Sequence, residues 1–494
     1  MVGVPGHSKG CQTCKKRKIK CDERRPTCQR CEKSGYSCGG YERPIPFHNT
    51  SIAPFNLVEE NKPSISQHSF PNCMTRIVPR IRNPAPNELS LVAFKGDMCF
   101  AFLFENFVWR SYGTPWLQMA ASGKLDSLAL ESSQALSQAN FGSSHRLPDI
   151  QINGAIQYGK ALRALIPGLS DPSKPGVEIL LVPIMILLIH ATSQADQEGS
   201  ISHVKGLAML LHVCGPERFQ REPLRGAFES CRATLVTAGL VARQRTFLEQ
   251  EKWQTIPWAL GPPSKSQQNH LVDILAMVPG FLEDDAKLGQ LEDLVLRQDL
   301  LCRLKCQLQR LYRWRWKWEE LNPNAAQEET PSTPLTNKPR VVEKTLYFSA
   351  HLQATEIMLY NAVLLWLLGL LWRLEPLDGS TTVEAAAAAA ADISIPVDVS
   401  AVTLHLPGQA ISLRDPAIEI CRVFEFQIAN MENSKDSALF FLFPLGLAWS
   451  VLEQEAPFRE WIRGMLDSSR VTRGYAIGQN LWGFGNYNIP KVFQ

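Results

Sequence analysis

Six cysteines crowd one short stretch near the N-terminus: Cys11, Cys14, Cys21, Cys28, Cys31 and Cys38. They spell C-x2-C-x6-C twice, with six residues between the copies. A C-x2-C pair sets two thiolates on the same side of one turn, within reach of a single metal ion. Six thiolates are too few for two separate tetrahedral sites, but they suffice if two sulfurs each bridge both ions. The duplicated spacing offers a symmetric solution, in which the leading cysteine of each copy, Cys11 and Cys28, is the bridge. All-thiolate ligation suits Zn²⁺, and two Zn²⁺ per chain are the expected cofactor. A disulfide framework would need an oxidising compartment. An iron–sulfur site would usually show tighter or different clustering with a distant fourth ligand. So small a module has almost no apolar core, and metal binding is expected to supply its folding free energy.

Charge is distributed as unevenly as cysteine. The formal net charge is only +3, but residues 1–48 hold 11 Lys and Arg against 4 Asp and Glu. The rest of the chain is mildly acidic, so a basic tip sits on an acidic body, a pattern that favours a polyanion-binding head. The other seven of the thirteen cysteines (Cys73, Cys99, Cys214, Cys231, Cys302, Cys306 and Cys421) are scattered through apolar sequence. An odd total, and no apolar run within Met1–Gly10 of the kind a secretory signal needs, point to a reducing compartment. The scattered cysteines then read as small buried hydrophobes. Ile179–Ile189 and Ile357–Trp372 are apolar but short of the ~20 residues that a bilayer requires, so both are expected to be core helices, with no membrane partner.

The expected architecture is mainly α. A small dizinc module built on the six cysteines occupies residues 1–40, a proline-rich flexible linker 41–88 and a large all-α body 89–494. Apolar periodicity predicts helices over Leu91–Trp109, Ile152–Leu165, Val177–Ser193, His203–Val213, Arg225–Leu248, Leu271–Met277, Leu291–Glu320, Leu346–Leu374, Ala417–Met431 and Ala438–Leu452. Turn signals at Gly215-Pro216, Gly261-Pro262-Pro263 and Asn322-Pro323 separate them. Strand-like alternation is scarce, with Val397–Leu406 the best candidate. Residues 322–343 and 377–396, the second holding the run Ala385–Ala391, read as flexible insertions.

The segment from Gly10-Cys11-Gln12-Thr13-Cys14 through Lys20-Cys21-Asp22 to Arg25-Pro26-Thr27-Cys28 resembles the fungal Zn(2)Cys(6) binuclear zinc cluster (C6 finger) transcription factors. The resemblance implies two short helices, each following a C-x2-C, joined by a loop whose proline, here Pro26, is often cis. It also implies bridging by the first and fourth cysteines, here Cys11 and Cys28. More loosely, several stretches of the body look like the helical regulatory domain of such factors. They are His203-Val204-Lys205-Gly206-Leu207 with Gly215-Pro216, Thr246-Phe247-Leu248 through Trp253 to Pro257-Trp258, and Tyr360-Asn361-Ala362. In that family the domain controls activity and binds effectors or partners.

The two halves of the module match in cysteines and differ in charge. The first carries Lys15, Lys16, Arg17, Lys18 and Lys20, where the second has Glu32, Lys33, Ser34, Gly35 and Ser37. The first half is therefore expected to face double-stranded DNA, with its helix pointing into the major groove. Lys18 matches the family's base-reading lysine, with Arg17 close by, and the resemblance implies recognition of CGG-type triplets. Lys9, Lys15, Lys16, Lys20, Arg24 and Arg25 are expected on phosphates, and Lys15–Lys20 can also serve nuclear import. No catalytic constellation stands out: His190, His203, His212 and His351 lack metal-ligand spacing, and no nucleophile elbow or phosphate loop occurs.

Leu294, Leu301 and Leu308, and likewise Leu304, Leu311 and Trp318, repeat every seven residues. Such a stripe fits the chain's own core or a homodimer seam through the helical domain. Trp314, Trp316 and Trp318 alternate with basic residues and cannot all be buried on one helix face. The resulting expectation is a nuclear, non-enzymatic regulator of RNA polymerase II transcription that binds DNA and transcription machinery or coregulators. It would govern a secondary-metabolite gene cluster or, alternatively, a catabolic pathway. A zinc-dependent protein-interaction adaptor is the reading from another class.

Overall fold

The computed structural model describes residues 10–41, 94–106, 114–169, 176–194, 196–261, 264–290, 293–329, 341–342, 344–391, 402–430 and 442–468. Contacts divide the chain into two compact units, residues 1–86 and 87–494. The first contains two one-turn helices, α1 (Gln12–Lys16) and α2 (Gln29–Lys33). The second is helical almost throughout its described residues, as the apolar periodicity predicts.

The body opens with α3 (Lys95–Asn106), α4 (Thr114–Ala121), α5 (Ser127–Ser144) and α6 (Pro148–Leu169). It continues with α7 (Leu181–Ser193), α8 (Gln197–Cys214), α9 (Leu224–Ala242), α10 (Glu251–Thr255), α11 (Gln267–Leu275) and α12 (Val278–Leu288). After α13 (Leu294–Leu321) a two-stranded antiparallel ribbon pairs β1 (Ala326–Glu329) with β2 (Thr345–Phe348), Ala326 opposite Phe348. Then come α14 (His351–Leu374), α15 (Gly379–Ala390), α16 (Arg414–Asn430), α17 (Leu442–Val451) and α18 (Ala456–Ser468).

The centre of this unit is α14, which is buried on nearly every side from Ala354 to Leu371 by α11, α13, α15, α16 and α17. Its length and apolar composition would allow it to cross a membrane, but here the chain itself covers it, as expected of a core helix. Asp293 caps α13, its carboxylate accepting from the backbone N–H groups of Val295 and Leu296 at 2.9 and 3.0 Å. The seven-residue stripe on α13 enters the chain's own core from Leu301 onward: Leu301, Leu304, Leu308, Leu311 and Trp318 are buried, and only Leu294 at the helix start is exposed. Trp314 and Trp318, four residues apart, share the inner face, and Trp314 stacks on Tyr360 of α14 at 5.8 Å. Trp316 lies off that face and is only partly buried.

Five expectations are corrected by the structure, the first being the flexible insertion near 322–343, whose residues Ala326–Glu329 pair as strand β1. The helix expected over Arg225–Leu248 stops at Ala242, where Arg243 turns left-handed (φ 52°), and Phe247–Glu249 forms a separate short turn. The helix expected from Leu346 begins at His351, because the β-branched and aromatic run Thr345–Phe348 pairs as a strand. The insertion near 377–396 is helical over Gly379–Ala390: alanine has the highest helix propensity, and Val383, Ala386 and Ala390 are buried where α15 packs on α13. Cys302 and Cys306 are exposed, whereas Cys99, Cys214, Cys231 and Cys421 are buried as expected.

Cys73, most of the 41–88 linker, and residues 330–340 and 343 of the 322–343 insertion lie outside the described residues. So do residues 397–401 of the strand candidate Val397–Leu406; the remainder, residues 402–406, is not a strand.

Candidate metal centre and nucleic-acid interface

The two halves of the cysteine module fold alike because each leading cysteine caps its own helix. Cys11 is extended (φ −64°, ψ 156°), and its sulfur accepts from the Cys14 N–H at 3.4 Å. Cys28 does the same for α2, accepting from the Cys31 N–H at 3.3 Å. One helical turn thus presents both sulfurs of each C-x2-C pair to the interior, where Cys11, Cys14, Cys28 and Cys31 are fully buried. The Cys11 sulfur lies 3.6 Å from that of Cys28 and 3.8 Å from that of Cys31. The Cys14 sulfur lies 3.6 and 3.9 Å from the same two.

Two groups of four sulfurs result, Cys11–Cys14–Cys21–Cys28 and Cys11–Cys28–Cys31–Cys38, each with all ligand atoms within 4.8 Å of one another. The groups share Cys11 and Cys28, the pair that the duplicated spacing singles out as bridges. Tetrahedral zinc with Zn–S bonds of ~2.3 Å separates its sulfurs by about 3.8 Å, so the donor set fits two ions that share an edge.

Electrostatics separates the buried sulfurs of Cys11, Cys14 and Cys28 from those of the less buried Cys21 and Cys38. Burial pushes the Cys11 thiol up to about 12 and raises Cys28 and Cys14 as well. Cys21 is drawn down to about 6: burial acts to raise it, but the N–H groups of Cys11 and Glu23, donating to its sulfur at 3.4 Å, together prevail. Cys38 is lowered by N–H donors from Cys28 and Gly40. Backbone donors thus favour the thiolate at Cys21 and Cys38, whereas burial disfavours it at Cys11, Cys14 and Cys28, a cost that a cation beside the sulfurs offsets.

Residues outside the cysteine set complete the frame. The Asp22 carboxylate accepts from the N–H groups of Gln29 and Arg30 at 2.9 and 3.1 Å, ties the connecting loop to α2 and is held below its ordinary pKa by those bonds. The Thr13 hydroxyl donates to the Ser37 carbonyl at 3.0 Å and accepts from the Gly39 N–H at 2.8 Å, which closes the second half back onto α1. The Tyr41 hydroxyl lies 3.6 Å from the Cys21 sulfur and donates to the Arg24 carbonyl at 2.9 Å. The Arg25–Pro26 peptide is cis. Sequence reasoning missed Thr13, Asp22, Tyr36 and Tyr41; only Asp22, a carboxylate ahead of a cysteine-capped helix, carried a readable signal.

The cationic residues lie on the outside of this frame. Lys15, Lys16, Lys18, Lys20, Arg24 and Arg25 are exposed. Arg17 is half-buried, its guanidinium 3.9 Å above the Tyr36 ring, and Arg25 leans over Tyr41 at 5.2 Å. Lys18 follows the end of α1 in the left-handed region (φ 56°), where the chain reverses and the Ile19 N–H returns to the Cys14 carbonyl. Lys9 lies outside the described residues.

In the body, His190, His203 and His351 occupy packing positions, and His212 is exposed. His190 is buried and stacks on Tyr158 at 4.4 Å, and the Tyr158 hydroxyl meets His203 Nε2 at 2.8 Å. His351 Nδ1 lies 2.9 Å from Gln427 Oε1.

Residues 9–46 match the fungal Zn(2)-Cys(6) binuclear cluster domain. The chain is 67% identical over 33 residues to the arginine metabolism regulation protein II of Saccharomyces cerevisiae, covering 7% of this chain and 4% of that protein. It is 67% identical over 33 residues to the white-opaque regulator 2 of Candida albicans, covering 7% of each. It is 54% identical over 39 residues to the aspercryptin biosynthesis cluster-specific transcription regulator atnN of Emericella nidulans, covering 8% of this chain and 6% of that protein. The match therefore spans less than a tenth of these relatives. No solved structure matches the chain. Residues 9–46 are a fungal Zn(2)-Cys(6) binuclear cluster domain, a fold that binds two zinc ions, and a mainly helical body follows it in the chain.

Proposed function

We propose that the chain is a sequence-specific, DNA-binding regulator of RNA polymerase II transcription that acts in the nucleus. Cys11, Cys14, Cys21 and Cys28 hold one zinc ion, and Cys11, Cys28, Cys31 and Cys38 hold the other. The observation that carries the reading is a preorganised six-sulfur cluster whose first half carries more exposed cations than its second. The zinc ions supply no chemistry beyond holding the module's shape. Lys18, turned outward at the end of α1, reads guanine O6 and N7 in a CGG-like triplet with Arg17 beside it. Lys15, Lys16, Lys20, Arg24 and Arg25 grip phosphates and provide affinity without sequence information.

The helical body regulates this activity and meets coregulators or the transcription machinery. The relative named as a biosynthesis cluster-specific regulator favours control of a secondary-metabolite gene cluster. The relative named for arginine metabolism supports the second reading, control of a nutrient pathway. Selection from random duplexes with the zinc-loaded chain tests the core of the proposal: enrichment of CGG triplets is the expected outcome. Retention of protein partners with no duplex preference would replace it with a zinc-dependent adaptor. Genome-wide mapping of bound sites decides between the two pathways.

A further inference from the structure

We propose that Tyr36, in the charge-poor second half of the module, is a positioning residue for sequence readout through Arg17; the inference rests on the DNA-binding reading above. Among the described residues of the cationic set, Arg17 is the half-buried member and the others are exposed. Its guanidinium carbon stands 3.9 Å from the centre of the Tyr36 ring, and Nη1 is buried with no hydrogen-bond partner among the described residues. That nitrogen faces neither water nor an acceptor, so the aromatic face is what compensates it.

The backbone that carries the ring is in turn fixed from behind. The Tyr36 N–H donates to the carbonyl of Cys31, a member of the metal cluster, at 3.0 Å. Gly35 supplies the left-handed turn (φ 67°) just before it, and Ser37 and Gly39 are both bonded to Thr13 of α1.

The consequence is a guanidinium plane whose orientation is set before DNA arrives. A free arginine loses much rotamer freedom on binding, whereas a stacked one has already lost it. Nη1 is the buried nitrogen, so the edge left to offer two parallel donors to guanine O6 and N7 is Nε with Nη2, and that match depends on the orientation of the plane. Arg17 caps the C-terminal end of α1, directly before Lys18, so both side chains leave the same end of the DNA-facing helix. Gln12, Thr13, Lys15, Lys16, Arg17 and Tyr36 line one open cleft, which places the ring on the same surface as the cations. The second half thereby contributes to specificity without donating a charge.

The test uses the full, zinc-loaded chain with two duplex probes, one carrying a CGG triplet and one with that triplet scrambled, and reads the ratio of their dissociation constants. Tyr36→Phe keeps the π face and should leave the ratio unchanged. Tyr36→Leu keeps an apolar side chain but removes the π face, and should lower the ratio by about fivefold with two zinc ions still bound. In an Arg17→Ala background the same Tyr36→Leu change should have no further effect. Equal behaviour of the Leu and Phe variants, additive losses with Arg17→Ala, a uniform loss on both probes, or loss of zinc from Tyr36→Leu would each overturn the proposal. A wild-type chain that does not distinguish the probes would instead refute the DNA-reading function itself.

Discussion

The head and the body of this chain reach a defined structure by opposite means. In residues 10–41 the buried apolar set consists of cysteines, with Tyr41 packed against them, and two helices of five residues each are far too short to persist alone. In the body a single apolar cluster runs from Leu103 to Ile462 and contains Trp116, Trp253, Trp318 and Trp366 in fully buried positions. The first is held by a few strong, directional bonds to ions, and the second by a great many weak contacts. The difference teaches which perturbation each can survive.

The largest effect should come from metal removal. Apparent folding free energies from structural zinc in small modules are about 10–16 kcal/mol, so a chelator should unfold the head completely. Tryptophan emission should not change, because all twelve tryptophans lie beyond residue 86. Retained chemical-shift dispersion of residues 10–41 after zinc removal would break the contrast.

The reciprocal experiment truncates the body's core. The buried Trp318 indole donates to Glu356 at 2.8 Å, and burial holds that carboxyl up at about 7. Trp318→Ala should therefore cost about 3–5 kcal/mol through the cavity and the abandoned partner. Denaturant midpoints followed by tryptophan emission should fall, with zinc content unaltered; a loss of zinc in this variant would show the two regions to be coupled.

Acid sharpens the comparison further. Burial, with the nearby His203 adding to it, lowers His190 from an ordinary 6.5 to about 4. A depressed folded pKa means that the unfolded chain binds the proton first. The contribution is complete above about pH 6.5 and declines as pH falls toward about 4, where up to about 3 kcal/mol has been lost. His203 shifts in the same direction. Thermal melts of the body should fall between pH 7 and pH 5, and His190→Phe, which keeps the stacking on Tyr158, should flatten that slope. An unchanged slope would assign the acid sensitivity to other groups.

The smallest effect belongs to the exposed head residue Lys18. Lys18→Ala should cost about 1–3 kcal/mol of triplet discrimination in a duplex titration and leave salt-sensitive binding and zinc content in place. Undiminished discrimination would move base reading to another residue.

The metal centre was nearly fully legible in the cysteine spacing, because a covalent repeat of fixed length leaves few ways for six sulfurs to meet around ions. The helices α7, α8, α13 and α14 were legible in part, since a half-buried or buried helix writes its apolar pattern into the chain. α5, which packs on the expected helix α6, shows what such a pattern hides. α5 is rich in serine and alanine, with a weak apolar rhythm, because its partner approaches closely: a Cβ added at Gly154 of α6 would stand 2.8 Å from the Ala139 nitrogen. α15 was misread for a related reason, as an alanine run looks featureless until α13 covers one side of it.

Local chemistry along the chain was enough to determine the zinc cluster, the cationic first half and the helical character of the body, because each depends on residues close in sequence. Only tertiary structure decided that the α13 stripe from Leu301 onward packs into the chain's own core, that Thr345–Phe348 is a strand, and that Arg17 rests on Tyr36 from the other half of the module. Those outcomes depend on which surfaces meet across long loops, and a surface's partner has no signature in its own local pattern.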